Sequence, residues 1–461
     1  MHEPEPISST SLAPTERPID VLLKPLMTFA KHKLAGAGLL LFATVFALGW
    51  ASSPWHDTLH HLLETELAVS LGPARFAKSL HHWINDGLMG VFFFLVGLEI
   101  KRELLVGELS SVRKAALPAV AAVGGMLVPA GIFAALNVGT PSADGWGIPM
   151  ATDIAFALGI LAVLGDRVPL GLKVFLTALA IVDDIGAVLV IAVFYTTDIS
   201  MISLGIGVGC LVLSVGLNVI GTRDPVPFFI VGTCAVLAFL DSGVHATIAA
   251  LLMAFTIPAR TRIDGPGFVK RMEHLLGKLS ATGLPCDTKM NTNAQQHVFE
   301  KMNLAIDEAS APLQRIEHAL VGPVTFVVLP VFALANAGVT IEGDLGETIG
   351  SPLVLGVMAG LLVGKTVGVA GATWLAVKLK LADLPRGVTW GQVVGAGMLA
   401  GVGFTMALFI AQLAFSDAAL GEAAKVGILF GSTLAAVGGL VVLRFSTRAP
   451  TPAPAEGSDP A

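Results

Sequence analysis

The chain has 461 residues, of which 54% are hydrophobic and only 13% charged, with a formal net charge of −6. Soluble domains carry about 25% charged residues, so this composition excludes an ordinary soluble protein. The charges fall in short links between long uncharged runs, which is the pattern of a polytopic α-helical membrane protein; the alternating segments of about 10 residues that a membrane β-barrel needs are not seen.

Residues 1–33 are polar and contain prolines, with no cleavable signal peptide visible before the first apolar run near Leu34. They read as a cytoplasmic N-terminal segment. Twelve candidate spans follow, at 34–53, 84–100, 115–137, 146–165, 170–194, 201–220, 226–240, 244–258, 320–338, 351–377, 390–415 and 421–444. Each is near the length that crosses a hydrocarbon core of about 30 Å. Together they make one twelve-helix membrane domain over 34–444.

The stretch 54–82 holds His56, His60, His61, His81 and His82 and reads as a solvated polar loop, with metal binding or sensing of external pH by these histidines as the alternative. The longer link, 259–319, is polar and charged. Its Val298, Met302, Ile306 and Leu313 recur at helical spacing, which predicts a cytoplasmic helix from about Asn293 into the ninth span. The Pro-rich tail, 445–461, is expected to be disordered. Cys210, Cys234 and Cys286 lack metal-ligand spacing and read as packing residues rather than a disulfide framework.

Lysine and arginine set the orientation. One side carries Arg17, Lys24, Lys31, Lys33, Lys101, Arg102, Arg113, Lys114, Arg167, Lys173, Arg223, the 259–319 link, Lys378, Lys380, Arg386 and Arg444, whereas the other shows only Arg75 and Lys78. This bias predicts an even number of spans with both termini cytoplasmic.

Four ionisable residues sit where lipid makes them costly. Asp183 and Asp184 lie in the middle of the apolar run Thr177–Val190, Asp153 lies mid-span after Pro149-Met150-Ala151-Thr152, and Lys365 lies deep in the tenth span. An intramembrane charge is a functional hypothesis by default. Pro149 in the fourth span and the glycines of Gly395-Ala396-Gly397-Met398-Leu399-Ala400-Gly401-Val402-Gly403 in the eleventh suggest two broken helices. Such paired breaks are the sequence pointer to a midplane site in a transporter. Broken helices expose positive N-terminal and negative C-terminal ends, which Asp153 and Lys365 can respectively compensate. Successive helical residues point about 100° apart, so one of Asp183 and Asp184 can face an ion cavity while the other faces Lys365.

At these residues the chain resembles the NhaA-type bacterial sodium/proton antiporters. The resemblance rests on Trp83-Ile84-Asn85-Asp86, Val96-Gly97-Leu98-Glu99-Ile100-Lys101-Arg102-Glu103, Ala151-Thr152-Asp153-Ile154-Ala155-Phe156-Ala157-Leu158-Gly159 and Val182-Asp183-Asp184. It continues through Ser242-Gly243-Val244-His245-Ala246-Thr247, Phe332-Ala333-Leu334-Ala335-Asn336-Ala337-Gly338 and Gly401-Val402-Gly403-Phe404-Thr405-Met406. It implies inverted repeats of spans three to five and ten to twelve, with spans four and eleven crossing as unwound helices. The other spans would form a dimer-interface domain, with an interface hairpin within residues 54–82, giving a homodimer among membrane lipids in the bacterial inner membrane.

The resemblance also implies that Asp184 with Asp183 binds sodium (or lithium) and protons, assisted by Thr152. Asp153 and Lys365 would be the charge-compensating pair, with Lys365 also the partner of Asp183. Glu99, Arg102, Glu103, Glu317 and His318 match a pH-response cluster, with Arg271-Met272-Glu273-His274 as an alternative to the last two. No cofactor and no nucleic acid enter. The chain departs from the family pattern in its long 259–319 link, in Val321-Gly322-Pro323 where His-Pro-Trp is usual, and in Thr366 where proline commonly follows the lysine.

The expected mechanism is competition of one hard cation and the proton for the same carboxylates, with more than one proton exchanged per sodium. The competing classes are an intramembrane aspartyl protease, which needs its aspartates facing each other and lacks its Gly-x-Gly-Asp signature here, and a cation channel or sodium-coupled symporter.

Overall fold

The structure, a computed structural model, describes residues 34–71, 74–196, 199–282, 292–339 and 345–447. The N-terminal segment 1–33, the tail from residue 448 and Cys286 lie outside the described residues.

Among the described residues eight helices are long and apolar enough to cross a membrane. They are Leu80–Val106, Val112–Asn137, Ala143–Val163, Leu170–Phe194, Met201–Ile220, Pro312–Asn336, Pro352–Lys378 and Ala418–Ser446. Two bent pairs, Ala35–Ala51 with His56–Glu64 and Trp390–Ala400 with Phe404–Ala414, bring the number to ten if each is one span. Pro225–Asp241 and Ala246–Thr256 are shorter apolar helices. Each predicted apolar run falls on one of these helices. The chain is thus an all-α, multi-pass membrane protein, as a lipid environment that offers the backbone no partners requires.

Polar links supply the helix boundaries. Asp224, Asp264 and Asp417 each accept a backbone N–H from the first turn of the helix that follows, and Thr292 with Gln295 and Thr389 with Gln392 form capping boxes. Such caps fix where these helices begin in the polar links.

Three regions differ from expectation. In 54–82 the hairpin that the resemblance implies is present, Glu66–Leu71 pairing antiparallel with Ala74–Ser79 with Leu67 opposite Lys78, but it is preceded by a helix not expected there, His56–Glu64. The next helix then starts at Leu80, four residues before the predicted span, because Ser79 caps it by accepting from the His82 N–H at 3.3 Å. The 259–319 link contains a second helix, Gly265–Ala281, which packs on Asn293–Ala309 through Leu275, Leu279, Val298, Met302 and Ala305. Glu308 clamps the link's base, accepting from Arg271 at 2.5 Å and pairing with Arg262 at 3.3 Å. The link ends at Pro312 rather than residue 319, because Gln314 to His318 already turn within the helix Pro312–Asn336. At the far end of the chain the last helix continues to Ser446, into the start of the expected tail.

Two buried clusters flank the centre of the molecule. One includes Phe93, Phe332, Phe409, Ile148 and Val188; the other includes Leu161, Leu172, Leu176, Leu399 and Leu443. Between them Val112–Asn137 and Pro352–Lys378 approach backbone to backbone at Gly124 and Gly368. A Cβ on Gly368 would overlap the Gly124 carbonyl and stand 3.2 Å from Gly125 Cα. Small residues permit this approach where lipid gives helices no hydrophobic reason to associate. Gly368→Ala is therefore expected to lower the thermal stability of the purified protein by the cost of overpacking, about 1–3 kcal/mol. An unchanged unfolding midpoint would show that the two helices are free to separate.

Candidate ion-binding site

Two helices break inside the membrane, and their breaks touch. The first runs as a tight 3-10 turn over Ala143–Met150, becomes extended through Ala151 and Asp153, and resumes at Ile154–Val163. The second stops at Ala400, passes through Gly401-Val402-Gly403 and resumes at Phe404–Ala414, bent by 45°. Glycine is needed at 401 because a Cβ there would meet the Leu361 carbonyl.

Peptide groups freed by unwinding must find partners in the protein. Here each break serves the other. The Asp153 N–H donates to the Val402 carbonyl at 2.7 Å, and the Thr152 hydroxyl donates to the Ala400 carbonyl at 2.6 Å. Asp153 Oδ1 accepts the Phe156 N–H at 3.0 Å and so caps its own half-helix. Its Oδ2 accepts from Thr405, from the hydroxyl at 2.5 Å and from the N–H at 3.2 Å, and so caps the other. The Phe404 N–H completes that second end by donating to Ser432 Oγ at 3.1 Å. One carboxylate therefore faces the positive ends of two half-helices.

Asp183 and Asp184 lie on the unbroken helix Leu170–Phe194, 2% and 3% exposed, close to the values for Asp153 (2%) and Thr152 (1%). Lys365, 1% exposed, donates from Nζ to Asp183 Oδ2 at 2.6 Å. It follows a widened helical turn at Gly360–Gly364 and faces Gly125, where a Cβ would come 3.9 Å from its ammonium. Asp183 Oδ1 and Asp184 Oδ2 are buried without a hydrogen-bond partner among the described residues. Thr152 faces Asp183, and the charged groups facing Asp184 are Asp183, Glu99, Asp153 and Lys365. The lysine thus divides the adjacent carboxylates into one that is ion-paired and one that is not.

Lys365 meets the partner expected for it, Asp183. No hydrogen bond joins its ammonium to a carbonyl at either break among the described residues; Thr152 and Asp153 take those carbonyls instead. Asp153 has both oxygens committed to helix ends, which leaves it no free oxygen for the water-sharing dyad of a protease.

At the Lys/Arg-rich end, Arg102 bonds Glu317 and pairs with Glu103 at 3.0 Å, while Glu103 also accepts the Glu108 N–H at 3.0 Å. Glu99 stands between this group and Asp184, facing Glu317, Arg102 and Glu103. His318 is exposed on the outer face of its helix. Glu273 and His274 are exposed on the helix of the 259–319 link, so Glu317 is the acid that joins the cluster. Lys101, next in sequence, is spent on the carbonyls of Phe255 (2.6 Å) and Ile257 (2.5 Å).

Thr405 and Ser432 complete the helix ends, yet sequence reasoning gave neither a role. Thr405 lay within a motif already singled out. Ser432, in an otherwise unremarkable last span, carried no signal.

Removing Lys365 would leave Asp183 as an uncompensated buried charge, a loss of about 3–5 kcal/mol. Lys365→Ala is expected to lower the melting temperature, and adding Asp183→Ala to restore part of the loss. A melting temperature indifferent to Lys365→Ala would refute the pairing.

Known proteins match the chain over nearly its whole length. The family described as Na+/H+ antiporter 1 matches residues 27–443. A protein named Na(+)/H(+) antiporter NhaA from Oleidesulfovibrio alaskensis is 50% identical over 437 residues, covering 95% of this chain and 97% of the relative. Proteins of the same name from Acidithiobacillus ferrooxidans and Koribacter versatilis are 47% and 46% identical, each covering 92% of this chain, and 97% and 92% of their own lengths. With its broken helices, buried aspartate pair and membrane lysine, the chain belongs to the Na+/H+ antiporter 1 family.

Proposed function

We propose that the protein exchanges sodium, and lithium, for protons across a bacterial inner membrane, with Asp184 as the principal ion ligand and Asp183 as the switch. The observation that carries this reading is the pair of buried, unpartnered oxygens, Asp183 Oδ1 and Asp184 Oδ2, beside the meeting point of two broken helices. Isolated buried carboxylate oxygens are costly unless they take a cation or a proton. Sodium is hard and favours oxygen ligands. The Thr152 hydroxyl has one proton, which it gives to Ala400, so its lone pairs remain for a cation next to Asp183.

The proton and sodium then compete for the same oxygens. When sodium engages Asp183, the Lys365 pair loosens, and the second proton leaves from Asp183 or from Lys365 itself. More than one proton per sodium makes the exchange electrogenic, driven by the inward proton gradient. Asp153 holds the two positive helix ends in register. Glu99, Arg102, Glu103 and Glu317, with His318 beside them, carry the response to cytoplasmic pH. The names of the relatives support the ion pair exchanged.

This reading includes twelve spans with both termini cytoplasmic, and inverted repeats of spans three to five and ten to twelve. The remaining spans and the hairpin Glu66–Ser79 form the contact of a homodimer in the lipid bilayer. The Lys/Arg asymmetry and the mutual bonding of the two breaks support it.

Asp184→Asn keeps the shape of the side chain and removes its charge. It is expected to abolish sodium-dependent proton release from the purified protein at every pH. Undiminished release would remove Asp184 from the site. Adding sodium to vesicles that hold a pH gradient should drive protons the opposite way with saturation, which neither a channel nor a symporter would produce.

A further inference from the structure

We infer that His81, Asn85, Asn336 and Gln412 form a latch over the outer mouth of the transport path, and that it holds only while His81 is uncharged. The inference rests on the orientation proposed above, in which the end bearing His81 faces outward.

The latch joins three helices. Asn336 ends Pro312–Asn336 and is fully buried. Its Nδ2 donates to the Phe332 carbonyl at 2.9 Å and to Asn85 Oδ1 at 2.7 Å. Its Oδ1 receives His81 Nε2 at 3.0 Å and the Gln412 amide, from Leu80–Val106 and Phe404–Ala414 respectively. All four hydrogen-bonding positions of this carboxamide are filled. Directly beneath, the same three helices contribute Phe332, Phe93 and Phe409, with ring centroids 5.7 Å apart for Phe93–Phe409 and 6.4 Å for Phe332–Phe409. A polar layer thus caps an aromatic one. Above both lies a cavity of about 560 Å³ lined by His81, Asn85, Phe409 and Gln412.

The network fixes the histidine's tautomer. A carbonyl can only accept, so Phe332 sets the orientation of Asn336, and Asn336 sets that of Asn85. Nε2 of His81 must then carry the proton, which leaves Nδ1 as the only ring nitrogen able to accept from Asn85 Nδ2, which stands 3.4 Å from Nδ1 and 3.2 Å from Nε2. A second proton on Nδ1 would remove the ring's only acceptor for Asn85 Nδ2 and set a positive charge in this buried layer facing Lys425, which opens the network.

The charged groups around His81 are Lys425 from Ala418–Ser446 and His82 and Asp86 on its own helix, the last two paired at 2.9 Å. Lys425 is itself paired with Glu422 at 2.6 Å, and Lys78, Asp417 and His245 line the cavity farther off. Phe404–Ala414 carries no charged residue, and those of Pro312–Asn336 stand at its other end. Acid outside therefore unlatches the mouth at the face from which the driving protons arrive.

The test uses Val188, which lies one turn outward from Asp184 in the same buried cluster as Phe93 and Phe409. In a chain whose native cysteines are replaced by serine, Val188→Cys is labelled with a membrane-impermeant methanethiosulfonate from outside right-side-out vesicles. Its rate is divided by that of Ala418→Cys on the cavity rim, which cancels the pH dependence of the reagent. The ratio is expected to rise several-fold as external pH falls from about 8 to about 5, spanning the ordinary histidine range. His81→Gln, whose amide can donate to Asn336 and accept from Asn85, should hold the ratio at its neutral-pH value. Gln412→Ala should raise it at all pH values. A ratio that is flat with His81 present, or that still rises in His81→Gln, overturns the latch. Labelling of Val188→Cys from the opposite face alone would instead overturn the orientation. Sodium-dependent proton release by the same variants reports separately on the aspartate site.

Discussion

An unwound backbone inside a lipid bilayer must find every hydrogen-bond partner within the protein, and the rest of this structure follows from how that is done. The breaks after Met150 and Ala400 are laid against each other so that the carbonyls of one receive donors from the other. Asp153 completes the arrangement by capping both resuming half-helices at once. Glycine at 401 permits the contact because Leu361 lies where a side chain would be. The polar centre of the molecule thus adds little cost beyond its charges.

The charges leave a simple remainder. Each half-helix N-terminus carries roughly half a positive charge, so two of them balance Asp153. Lys365 balances Asp183, to which it is bonded at 2.6 Å. Asp184 is left without an ion partner among the described residues. On the proposed function one monovalent cation or one proton neutralises it, obligatory exchange needs no separate device, and net charge movement comes from opening of the Lys365–Asp183 pair.

Much of this was legible in the sequence because lipid makes each exception to apolarity visible. Asp153, Asp183, Asp184 and Lys365 stood out in uncharged runs, and Pro149 and Gly401 marked the breaks. Partners that are backbone groups carry no sequence signal, so the use of Ala400 and Val402 as acceptors could not be read. Outside the membrane the same contrast disappears. In 54–82 the hairpin was legible only through the family resemblance, because the short strands Glu66–Leu71 and Ala74–Ser79 mix apolar and polar residues much as a loop does. In 259–319 the apolar positions of the first helix, such as Leu275 and Leu279, are diluted by charge. The histidines of 54–82 read as one solvated group, although His81 belongs to the first turn of a membrane helix.

The hydrogen bonds also separate what is tied from what can move. Leu80–Val106 and Pro312–Asn336 are joined at both ends, by His81 and Asn85 to Asn336 at one and by Arg102 to Glu317 at the other. Two helices pinned at both ends behave as one strut. The broken helix Trp390–Ala400 with Phe404–Ala414 is bonded instead to the segment around Asp153. Gln412 alone carries a hydrogen bond from it to the strut at Asn336 among the described residues. Any motion that exposes Asp184 outward by shifting the broken helices against the strut must therefore break that bond and draw Phe409 from between Phe93 and Phe332. A single carboxamide contact over three rings is cheap to open and tight when closed, which is what a path alternating between two aqueous faces demands of its outer seal.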